Sequence, residues 1–109
     1  MAIYEDFEKL EIRVGRIIDV KDFPEAKKPS YKLKIDFGKF GIKRSSAQLT
    51  ALYSKEELLG KQIVAVTNFP QKQIVDFRSE VLVLGIVTKD KKVVLLKPER
   101  EVDIGEKIA

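Results

Sequence analysis

The sequence predicts a small all-β barrel with one short helical insertion. Three observations predict it: five or more short β-rich runs punctuated by Gly and Pro, one strictly alternating run at residues 31–37, and a capping signature midway along the chain. At 109 residues the chain suits a single domain, spanning 1–109, and no repeat, low-complexity tract or linker divides it.

Ile3, Phe7 and Leu10, spaced by four and three, suit a short amphipathic helix at the N-terminus. From Ile12 to Val20 β-branched residues dominate, and alternation places Ile12, Val14, Ile18 and Val20 on one face. Gly15 within that strand marks a bulge or a close backbone approach. Phe23-Pro24 and Pro29-Ser30 bound a loop. Tyr31, Leu33, Ile35 and Phe37 then face one way, with Lys32, Lys34 and Asp36 opposite. Gly38 and Gly41 frame a turn before a short strand holding Phe40 and Ile42. Ser45-Ser46 is an N-cap candidate for a helical stretch from Ala47 to Tyr53, with Leu49, Leu52 and Tyr53 inward. Ser54 to Glu57 forms a capping box, closed by Gly60. Ile63–Thr67, 79–87 and 92–97 read as further strands, and 102–108 as a last short one. A helix midway through five strands is the arrangement of the OB-fold barrel, here with small N- and C-terminal extensions.

Composition restricts the chemistry. The chain has neither Cys nor His, which excludes disulfides, thiolate metal sites, Cys nucleophiles and the Ser–His–Asp arrangement. Asp36, Glu56, Glu57 and Glu80 do not form a recognisable catalytic pair, so no enzyme, metal or cofactor is expected. The N-terminus is acidic and shows no apolar signal segment, and no run is long enough to span a membrane. A cytoplasmic protein without membrane insertion is expected. The net charge of +4 is unevenly placed: residues 27–50 hold seven bases against Asp36 alone, a local +6 that favours polyanions.

Three ordered blocks carry a family resemblance. They are Leu10-Glu-Ile-Arg-Val-Gly-Arg16 with Phe23-Pro-Glu-Ala26 and Lys32-x-x-x-Asp36-x-Gly38; Ser45-Ser46 with Tyr53 to Lys61; and Val66-Thr-Asn68-Phe-Pro70, Lys72 and Phe77-Arg-Ser79-Glu80. Together, over roughly residues 7–108, they resemble the tRNA-binding domain, an OB-fold module. Ile42 to Thr50, Asn68-Phe69-Pro70 and Ser79 to Gly85 are similar to its CsaA branch of export-related chaperones. Val81-Leu82 replaces the Gly-Met usual after Ser-Glu in tRNA-binding members, and Phe23 stands where many carry His.

The resemblance implies a homodimeric chaperone that holds unfolded or preprotein polypeptides and assists export, with tRNA binding on a basic face as the alternative. It implies that Asn68 lines the groove; a turn-stabilising role before Pro70 is the other reading. Peptide-groove candidates are Phe40, Asn68, Phe69 and Phe77; as aromatics near loops, the three Phe could equally be RNA stacking platforms or core. RNA-binding candidates are Lys43, Arg44, Ser45, Ser46, Asn68, Lys72, Arg78 and Ser79. The first four form either an anion site at a helix start or an ordinary cap. Lys72, Arg78 and Ser79 fall on the segment that contacts RNA in related domains. The dimer interface is expected at Ile3, Tyr4, Phe7, Val102, Ile104 and Ile108.

Overall fold

The computed structural model describes residues 1–109. Helix α1 (Tyr4–Glu8) precedes β1 (Ile12–Asp22), β2 (Tyr31–Asp36), a 3-10 turn (Gly38–Phe40) and β3 (Ile42–Ala47). Helix α2 (Lys55–Leu58) and β4 (Gln62–Val66) follow, then β5 (Lys72–Ile74), β6 (Phe77–Ser79), β7 (Leu82–Val83), β8 (Gly85–Val87) and β9 (Val93–Leu95). β3-β2-β1-β4-β7 form one antiparallel sheet curled into a nearly closed barrel, while β5–β6 and β8–β9 are separate hairpins. This is the OB-fold arrangement, with α2 between the third and fourth strands as expected.

Strand β1 is shared: its first half pairs with β4 from Ile12↔Val66 to Arg16↔Gln62, its second with β2 from Arg16↔Asp36 to Asp22↔Tyr31. The β1–β2 register slips between Ile17 and Asp19, a bulge that adds one residue. Its effect is to reverse the alternation. Arg13, Gly15 and Ile17 share the face of Ala65, Ile63 and Ile35, whereas after the bulge Val20 faces in with Leu33. Ile18 is the inserted residue and is exposed, so the single face expected for Ile12, Val14, Ile18 and Val20 is broken. Ile12 and Val14 are buried on the outer face, where Ile12, Val64 and Val66 form a small second core under Leu10, Leu84 and Ile108. Buried on both faces, β4 can be the uninterrupted run Gln62-Ile-Val-Ala-Val66.

The main core gathers Ile17, Leu33, Ile35, Phe37, Leu49, Leu58 and Ile63, as the alternation of 31–37 predicts. Gly15 sits where Ile35 and Phe37 converge: a Cβ there would lie 2.5 Å from the Ile35 side chain and 2.7 Å from the Phe37 ring. The close approach is therefore at Gly15 and the bulge is at 17–19. Residues 42–47 continue the sheet rather than capping a helix, because Lys32, Leu33 and Lys34 offer a free edge that pairs with Ser46, Ser45 and Arg44. The helical stretch expected over 47–53 reduces to one bond, Tyr53 N–H to Leu49 C=O (3.1 Å); Leu49 is buried but Leu52 is exposed. The capping box does form: the Ser54 hydroxyl accepts from Glu57 N–H at 3.1 Å, and Glu57 accepts from Ser54 N–H at 2.9 Å. That main-chain bond, and after it the hydroxyl, holds the Glu57 carboxyl below the usual glutamate range. The tail makes an isolated bridge, Arg13↔Lys107, instead of a strand. Gln62 fastens it further, donating to Val102 C=O at 2.6 Å and accepting from Val102 N–H at 3.2 Å.

Gly15→Ala should cost roughly 1–3 kcal/mol, the usual penalty for overpacking a filled core. Urea unfolding measures it; an unchanged midpoint would show that Ile35 and Phe37 can yield.

Candidate nucleic-acid interface

The two sides of β2 divide the labour: Tyr31, Leu33 and Ile35 fill the barrel, so Lys32, Lys34 and Asp36 must point outward. Register aligns Lys21, Lys32 and Ser46 in one row across β1–β3, and Asp19, Lys34 and Arg44 in the next. Lys21↔Lys32 and Lys34↔Arg44 are like charges placed directly opposite each other. Such pairs destabilise a sheet by roughly 0.2–1 kcal/mol each, so stability alone does not favour them. Only partial neutralisation is supplied: Asp19 lies 4.0 Å from Lys21, and Glu80 lies 3.4 Å from Arg44.

Two connections flank this face. The β1–β2 loop brings Phe23, Lys27 and Lys28, and the segment between β4 and β7 brings the β5–β6 hairpin with Lys72, Arg78 and Ser79. They meet where Phe23 and Phe77 pack edge to face, centroids 5.4 Å apart. The Lys32 ammonium lies 4.7 Å from the Phe23 ring centre and 5.5 Å from that of Phe77; the Arg44 guanidinium is 5.7 Å from Phe77. The second flank is also bonded to β3: Glu80 N–H donates to Arg44 C=O (2.8 Å) and Glu80 Oε1 accepts from Arg44 N–H (3.0 Å). Ser79 Oγ accepts from Ser46 N–H at 3.2 Å, and Ser45 Oγ donates to Val81 C=O at 3.0 Å.

The structure thus brings together Arg44, Ser46, Ser79 and the hairpin carrying Lys72 and Arg78. It does not bring the rest with them. Lys43 is paired with Ile35 and so leaves β3 on the opposite side from Arg44. Ser45 is fully buried and spends its hydroxyl on Val81; because 42–47 is strand, no helix start exists there to hold an anion. Asn68 lies past the end of β4, where its side chain is a clamp: Oδ1 accepts from Glu11 N–H (2.9 Å) and Nδ2 donates to Lys9 C=O (2.7 Å). This fixes the turn between α1 and β1.

The four peptide-groove candidates occupy three settings. Phe77 is buried against Phe23, and Asn68 and Phe69 follow β4 with Phe69 exposed. Phe40 lies under the Arg13 guanidinium, 3.7 Å away, where Arg13 also donates to Gly105 C=O at 2.8 Å. Of the dimer candidates, Ile3, Tyr4 and Phe7 are exposed; Tyr4, Phe7, Leu10 and Ile108 line one cleft of about 250 Å³. Val102 and Ile104 belong instead to the tail beside Gln62 and Gly38. Lys21, Lys32, Lys34 and Phe23 also lie on or beside this face; Lys32 and Lys34 belong to the basic stretch 27–50 and point outward by the alternation of 31–37, and Lys32 and Phe23 stand in the family blocks. No group of three or more His, Cys, Asp or Glu is placed to hold a metal ion, and no helix is long and apolar enough to cross a membrane.

Asn68→Ala should loosen the α1–β1 junction without moving the barrel. Faster amide exchange confined to Lys9–Glu11 and α1 is expected; unchanged exchange there would show that the clamp is dispensable.

Residues 12–107 match the family model for a putative tRNA binding domain. Methionine–tRNA ligases of Pyrococcus horikoshii and Nanoarchaeum equitans are each 40% identical over 105 and 108 residues, covering 96% and 99% of this chain but 14% of those proteins. Chaperone CsaA from Picrophilus torridus is 57% identical with a TM-score of 0.94, covering 100% of both chains. Chaperone CsaA from Bacillus anthracis is 50% identical with a TM-score of 0.96, covering 100% of this chain and 99% of that one.

Proposed function

The chain belongs to the tRNA-binding-domain family, and on that premise we propose that it binds tRNA through the outer face of β2 and β3. One observation carries this reading: the directly opposed pairs Lys21↔Lys32 and Lys34↔Arg44, held between connections that carry Lys27 and Lys28 on one side and Lys72 and Arg78 on the other. Phosphates arriving on such a face relieve its repulsion and release counterions, so binding is driven by the charge that burdens the free protein. Ser46, beside Lys32 in the same row, places a hydroxyl within this field for sugar or phosphate contacts. Lys72 and Arg78 extend the positive surface onto the hairpin.

Anisotropy titrations of tRNA across salt test it. Lys34→Gln and Arg44→Gln should each flatten the plot of log K against log salt by about 0.7–0.9. Lys43→Gln, on the other side of β3, should leave the slope unchanged. Unaltered slopes for Lys34 and Arg44 would dismiss the assignment.

A second reading is capture of unfolded or preprotein segments by a homodimer that aids export. It is supported by apolar side chains exposed on and beside the β8–β9 hairpin (Leu82, Ile86, Val87, Val94 and Leu96), and by the two CsaA neighbours. A holding activity on that surface predicts that Ile86→Ser plus Val94→Ser abolishes suppression of client aggregation while tRNA affinity persists. Retained suppression would exclude the hairpin. A dimer through the exposed Ile3, Tyr4 and Phe7 predicts twice the monomer mass in light scattering. In either reading the protein holds its ligand without transforming it.

A further inference from the structure

We infer that Phe23 and Phe77 form a pedestal that holds the Lys32 ammonium as a fixed phosphate contact, rather than serving as platforms for nucleobases. The inference rests on the tRNA reading above and specifies how one end of that face works. Stacking needs a ring with an open face. Phe23 is 2% exposed and Phe77 8%, and the cation already lies over both rings. The two rings come from different connections and meet edge to face, so neither can turn toward a base without abandoning the other.

Lys32 is suited to such a role. Its row neighbours are Lys21 and Ser46, and none of the seven ion pairs of the protein includes it. The ring pair therefore steadies the ammonium without neutralising it, since a quadrupole attracts a cation but adds no counter-charge. A lysine free in solution must surrender much rotamer freedom on binding an anion; one already held over two rings surrenders less. Lys32 is only partly buried and lies on the outer face, beside Ser46 and its partner Ser79.

The experiment compares wild type, Lys32→Met, Phe77→Leu and the double variant in tRNA titrations across salt. Lys32→Met keeps the rings covered and should flatten the salt slope by about 0.7–0.9. Phe77→Leu should weaken binding and flatten the slope in the wild-type background, yet add nothing in the Lys32→Met background. Weakening by Phe77→Leu at constant slope, equal in both backgrounds, would mean base stacking and overturn the pedestal; so would an unchanged slope in Lys32→Met. The free protein supplies a second measurement. Ring currents should shift the Lys32 ε-methylene protons upfield, and Phe77→Leu should largely abolish that shift. Unshifted protons in wild type overturn the pedestal even if Phe77→Leu fails to fold. Absence of tRNA binding by wild type, with the shift present, would reject the tRNA reading and the phosphate contact while keeping the ring-held geometry.

Discussion

The barrel depends on the seam between β3 and residues 79–81. The strands of the main sheet pair by main-chain ladders, bulged once in β1, but here a single main-chain bond, Glu80 to Arg44, is joined by three that use side chains. Ser45, Ser79 and Glu80 each complete a bond that a neighbouring strand would otherwise make. Without Ser45 the barrel wall would enclose a poorly satisfied Val81 carbonyl, at a cost of roughly 1–3 kcal/mol. With it, β3 closes the wall and the hairpin carrying Lys72 and Arg78 is drawn against the basic face. Folding and assembly of the site are one event, because the same residues accomplish both.

That coupling explains why charge accumulates where it does. An inner face committed to Leu33, Ile35 and Phe37 leaves β2 only its outer positions for charged side chains, and two of the three are lysines. β3 contributes Arg44 and Ser46 by the same alternation while Ser45 turns inward to the seam. The flanking connections then supply what a sheet surface lacks: walls, further cations and a pair of rings against which a flexible lysine can be set. Arg13 and Phe40 repeat the cation-over-ring device near Gly105, but there it fastens the tail, with a buried Arg13 Nε that finds no acceptor.

Much of this was legible in the chain. Alternation over 31–37 placed four core residues and both outward lysines, and the Ser54 capping box formed as read because its chemistry is local, although the helix it opens was expected earlier, over 47–53. Two corrections share a cause: the competing partner was distant in sequence. Ser45-Ser46 has the composition of a cap, and only the free edge of β2 makes it strand. Ile18 continues a local alternation that a bulge, imposed by pairing with β2, interrupts. For Asn68 and Phe77, in motifs whose order identified the family, the structure shows a clamp on Lys9 and Glu11 and a buried ring against Phe23, the turn-stabilising and core settings that composition had left open. Phe23 and Lys32 stand in the family blocks too, but the contact that joins them to Phe77 depends on a segment distant in sequence.

Gly15 has a consequence reaching past stability. With Ile35 and Phe37 meeting over its bare Cα, the barrel has no lumen at that level and cannot admit a guest. Whatever the protein selects, it must select from outside. The outward letters of β2 and β3 can then be rewritten over evolutionary time while the inward ones stay silent. One scaffold can thereby pass from one class of chain-like ligand to another through a handful of surface exchanges.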